Sequence, residues 1–67
     1  MEHTQILIKV APKDIDYINR IIEAYDGLGI VQTIDRKEGL LLIHVTSSTI
    51  ADVWEILANL TVVIEYL

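Results

Sequence analysis

The sequence predicts an α+β sandwich: one antiparallel sheet of four strands in the order 4-1-3-2, with two helices on one face. Three observations predict it. Short runs with apolar residues at period two alternate with longer runs at spacings of three and four. They follow one another as strand, helix, strand, strand, helix, strand. The first and third strands carry apolar residues on both faces, as central strands do.

The first strand is Gln5-Ile6-Leu7-Ile8-Lys9-Val10, with Ile6, Ile8 and Val10 on one face and Gln5, Leu7 and Lys9 on the other. Pro12 stops it and suits a first helical turn, where its missing N–H and fixed φ do little harm; Asp14 and Asp16 then favour the helix dipole. The helix is expected over about 13–26, with Ile15, Ile18, Ile22 and Tyr25 as its buried stripe and Ile21 alongside. Gly27 is its expected left-handed cap, with Leu28 folding back onto the last turn. A hairpin follows. Residues 29–34 form its first strand, Asp35-Arg36-Lys37-Glu38-Gly39 its charged turn with Gly39 supplying a positive φ, and 40–45 its return strand. Thr49 with Asp52 resembles a capping box, with Ser47 and Ser48 as other N-cap candidates. Ile50, Val53, Trp54, Leu57 and Leu60 then mark the core stripe of a second helix ending near Asn59. The β-branched and aromatic run over 61–67 reads as the last strand.

This order is the split β-α-β arrangement called ferredoxin-like, βαββαβ, whose right-handed crossovers place both helices on one face of the sheet. It takes up residues 1–67 as one domain. Ile6, Ile8 and Val10, Leu41, Ile43 and Val45, and Val62, Ile64 and Tyr66 are expected to meet the helices. The opposite face then carries Leu7, Leu40, Leu42, Val63 and Leu67, with Val31 and Thr33 if the second strand keeps the register. Gln5, Lys9, His44 and Glu65 form its polar margin. An uncovered apolar face of a few hundred Å² is uncommon on a soluble monomer and marks an association surface. Leu7, Val31, Leu40, Leu42, His44, Val63 and Leu67 are therefore the expected interface of a homo-oligomer, a dimer or higher. Burying about 600 Å² of apolar area per subunit contributes on the order of 15 kcal/mol before association costs.

A chain of 67 residues buries only about 60% of its unfolded surface, and association would stabilise it. Its 52% hydrophobic content excludes disorder, and with no cysteine it has neither disulfides nor thiolate metal sites. A net charge of −5, with the basic residues scattered, argues against nucleic acid and anionic membranes as partners. The polar start lacks a signal-like apolar run, and a cytoplasmic location is expected. His3 and His44 have no spaced second ligand beside them, so no metal is assigned. Asp14, Asp16, Asp26 and Asp35 sit at helix ends or turns, where aspartate has a structural reason to be; no catalytic residue or cofactor is assigned. Trp54 reads as core, while Tyr17, off the first helix's stripe, is a candidate for contact with a partner or ligand.

The order of elements, and Glu23-Ala24-Tyr25-Asp26-Gly27-Leu28-Gly29-Ile30-Val31 leading into the second strand, resemble the ACT and ACT-like regulatory domains. The chain resembles more closely small bacterial proteins of unknown function, of the DUF4911 type. The ACT resemblance implies pairing through the sheets and an effector, such as an amino acid, at a subunit interface. Ala11, Pro12, Lys13 and Asp14 would face Gly29, Ile30 and Val31 of a neighbour. The chain departs from the ACT pattern in having no glycine in the first loop, and Val31 where a polar residue is common. Two expectations follow: a non-catalytic interaction module that pairs through its open sheet face, or an effector-binding regulatory domain.

Overall fold

The computed structural model describes residues 3–25 and 27–67. Asp26, expected to close the first helix, lies outside them, as does the side chain of His3. Strand β1 is His3–Lys9; a 3-10 turn at Pro12–Asp14 leads into helix α1, Ile15–Ala24; strands β2, Ile30–Asp35, and β3, Leu40–Thr46, form the hairpin; helix α2, Ile50–Ala58, and strand β4, Glu65–Tyr66, complete the order. The sheet runs β2-β3-β1-β4 with every pair antiparallel, which from the other edge reads 4-1-3-2.

The core is built on one face of that sheet. Ile6, Ile8 and Val10 from the first strand and its end, and Leu41, Ile43 and Val45 from β3, are buried together with Ile15, Ile18 and Ile22 of α1 and Val53 and Leu57 of α2. Both helices therefore cover the same face. Period two in the strands and 3.6 in the helices select these residues, as the alternation and stripes require.

Several local expectations are corrected. Helix α1 ends at Ala24, and Tyr25 turns extended at φ −99°, ψ 92°, which swings its ring out of the stripe and leaves it exposed. Gly27 does adopt a left-handed φ of 80°, and Leu28 packs on the core. Thr49 is the N-cap residue of α2 but makes no capping bond; its Oγ1 instead accepts from the Thr46 amide at 3.1 Å, so the box with Asp52 does not form. Trp54 is 42% exposed rather than core. Val53 and Leu57 take the sheet-facing side of α2, and Trp54, about 100° round the helix from Val53, lies over the sheet edge. There its ring packs on Tyr66 with centroids 5.0 Å apart and planes tilted by 45°. Strand β4 is two residues long, not seven. Val62 and Ile64 are held by packing against the core rather than by a ladder.

Candidate functional site

Register decides which residues share the face the helices leave open, because directly opposed residues of antiparallel strands point the same way. Leu7 stands across from Leu42, Lys9 from Leu40 and Gln5 from His44. On the other side of β3, Ile30 opposes His44 and Gln32 opposes Leu42. Lys9 opposes Glu65, and the Leu67 amide donates to the Leu7 carbonyl at 2.9 Å, which brings Leu67 beside Leu7. The centre of the open face is thus Leu7, Leu42, Leu40 and Leu67. Leu7, Leu40 and Leu42 are half-buried by their neighbours, while Leu67 is 60% exposed.

Around this centre, His44 and Lys9 are partnered within the chain. His44 Nε2 donates to Gln32 Oε1 at 2.8 Å, a diagonal pair across β3 and β2. Lys9 Nζ donates to Glu38 Oε1 at 3.3 Å, an exposed ion pair of small energetic weight. The face spans roughly 19 Å across four strands and about 20 Å along them, or about 400 Å² per copy.

Val31, expected in the interface, and Thr33, expected beside it on the open face, are not on this face. Val31 opposes Ile43 and packs on the helix-covered core, and Thr33 opposes Leu41 on that same side. The second strand is one residue out of the phase expected for it, and at period two a one-residue change moves every side chain to the other face. Val63 is 85% exposed but lies outside β4, so no ladder assigns it to the face. Ile30, expected only as an effector contact, joins the open face and is 71% exposed.

The expected effector residues fall at opposite ends of the sheet. Pro12, Lys13 and Asp14 form the 3-10 turn beyond the end of β1, where the Val10 amide donates to the Gly39 carbonyl at 2.9 Å. Gly29 packs against His44, Val45 and Ile43 at the other end of β3, about 20 Å away at roughly 3.4 Å per residue. One chain does not bring the two sets together. Gly29 and Ile30 border one cleft and Pro12 another, while Lys13, Asp14 and Val31 line neither. The first, of about 490 Å³, is lined by Glu23, Tyr25, Leu28, Gly29, Ile30, His44 and Thr46 among others. The second, of about 430 Å³, is lined by Lys9, Ala11, Pro12, Glu38, Val63 and Glu65 among others.

Among the described residues, no three histidine, aspartate or glutamate side chains are grouped to hold a metal ion, and no helix is long and apolar enough to cross a membrane. Tyr17, on α1, is partly exposed on the side of the molecule away from the open sheet face.

Comparison with the curated proteins and with the solved structures finds no match. A family model, described as a domain of unknown function, does match the chain over residues 8–64, from β1 through the approach to β4 and across both helices and the hairpin. The chain belongs to that family, DUF4911.

Proposed function

We propose that the chain is a small non-catalytic interaction module of ferredoxin-like architecture that self-associates through the open face of its sheet. The observation that carries this reading is the apolar centre formed by Leu7 against Leu42, with Leu40 and Leu67 beside them, on a face that neither helix covers. Water contact at such a centre is unfavourable, and a second sheet is the covering whose shape fits it. The edges of the sheet are poorer docking sites. Edge strand β2 is interrupted by a bulge between Thr33 and Asp35 and runs into a charged turn; β4 offers two residues. Charge favours the face as well. The chain carries −5 overall, while the face combines Lys9 with Glu65 and Asp35 around uncharged residues.

About 400 Å² per copy, or about 800 Å² in total, is below the size of stable specific interfaces and fits a weak association, so the dimer is reversible and concentration-dependent. A folded dimer that dissociates before unfolding melts higher as protein concentration rises. Above the dissociation constant the melting temperature should climb by on the order of 3–5 °C per tenfold increase. A flat melting temperature over the accessible range overturns the proposal.

A second reading, an ACT-like regulatory domain binding a small effector such as an amino acid where two copies meet, is favoured by the cleft beside Gly29 and Ile30. The same melting experiment separates the two. An amino acid at millimolar concentration that raises the melting temperature supports the effector reading; no shift with any of them removes it.

A further inference from the structure

Resting on the self-association reading, we infer that the two copies stack with a two-fold axis running across the strands, along the row Gln32, Leu42, Leu7 and Leu67, so that each of these residues meets its own counterpart. The open face is a grid of three rows: Ile30, His44 and Gln5; Gln32, Leu42, Leu7 and Leu67; and Asp35, Leu40, Lys9 and Glu65. A closed dimer of two such faces has its axis in the plane between them, and sheets that pack with strands nearly aligned allow that axis to run along the strands or across them.

The two choices differ in what they oppose. An axis along the strands exchanges one edge of the sheet for the other. It sets Asp35 against the partner copy's Glu65 and Gln32 against the partner copy's Leu67, which opposes like charges and buries an amide against a hydrocarbon. An axis across the strands keeps each edge over its own counterpart and exchanges the outer rows. Gln32 then meets Gln32 of the second copy. Its Oε1 already accepts from His44 and has a second lone pair, and its NH2 group is free to donate, so the two amides satisfy one another reciprocally. The leucines of the middle row close on themselves. Exposed Ile30 comes over the bulge that sets Ile34 and Asp35 opposite Leu40, His44 comes over Leu40, and Lys9 comes over Gln5 with no like charge facing it.

The chain has no cysteine, so single thiols report the geometry cleanly. Gln5 and Lys9 are both exposed and about 13 Å apart along one strand, so a short bis-maleimide joining them joins two copies. An equal mixture of Gln5→Cys and Lys9→Cys proteins should crosslink on the order of tenfold more than either protein alone, since only the mixed pair is held at high effective concentration. Preferential crosslinking of Gln5→Cys with His44→Cys instead, or crosslinking of neither mixture in a dimeric sample, overturns the axis while leaving self-association standing. A sample monomeric at every concentration overturns both.

Discussion

Gly39→Ala is expected to lower stability by about 3–5 kcal/mol, through a left-handed backbone, an overlap and a lost hydrogen bond. Gly39 closes the β2–β3 turn at φ 71°, a region that costs an L-residue about 1–2 kcal/mol. Its position is also crowded. A Cβ there would overlap the Val10 carbonyl oxygen and stand 2.9 Å from the Val10 carbonyl carbon. The carbonyl of Gly39 itself accepts from the Val10 amide, so relieving the overlap pulls apart the bond that ties the turn to the end of β1. For a chain of this size the melting temperature should fall by roughly 15–30 °C. Gly27→Ala is the matched comparison. Gly27 has a similar φ of 80° but open space around its Cβ position, so it should lose only the backbone term, about 1–2 kcal/mol. Equal losses at the two sites, measured by thermal or urea unfolding, would show that the contact with Val10 carries no weight.

Leu42→Glu is expected to abolish self-association while leaving the fold intact. Leu42 sits in the centre of the open face across from Leu7 and is partly solvent-exposed in one chain, so a glutamate there can remain hydrated in the monomer. In the dimer it would be buried, and burying an unpaired carboxylate costs several kcal/mol, enough to weaken association by on the order of a hundredfold or more. The neighbouring change, Ile43→Glu, should behave in the opposite way. Ile43 is fully buried on the helix side, so its glutamate unfolds the chain instead of dissociating it. Adjacent residues with opposite outcomes follow from the period-two alternation of β3. Circular dichroism and light scattering check both. An unchanged mass for folded Leu42→Glu would move the interface elsewhere.

The core was readable in the sequence because Gln5 and Lys9 in β1 and His44 in β3 mark the phase of strands otherwise apolar on both faces, and α1 repeats isoleucine at three and four. Leu7, Leu40, Leu42 and His44 were legible on the open face for the same reason. The second strand was not. Ile30 and Val31 are adjacent apolar residues followed by the polar pair Gln32 and Thr33, so no alternation indicates its face, and the bulge beyond Thr33 is set by pairing with β3 rather than by composition. That is why Val31 was expected on the open face and Ile30 was not. The last strand shows a different limit. Val62, Val63 and Ile64 have strong β propensity, but propensity reflects a fit to half-buried surface, and Val62 and Ile64 obtain that by packing on the core without ladder bonds. Tyr25 and Trp54 fit helical spacing, yet a stripe does not reveal where a helix stops or where the sheet beneath it ends. Likewise Thr49 has a partner in Thr46 that competes with its cap.

Sedimentation equilibrium of the unmodified chain tests most directly whether a second copy covers the open face. Over about a hundredfold range of concentration, mass action requires the weight-average mass of a reversible dimer to climb from 7.6 kDa toward twice that value. A mass that stays at 7.6 kDa throughout contradicts the account.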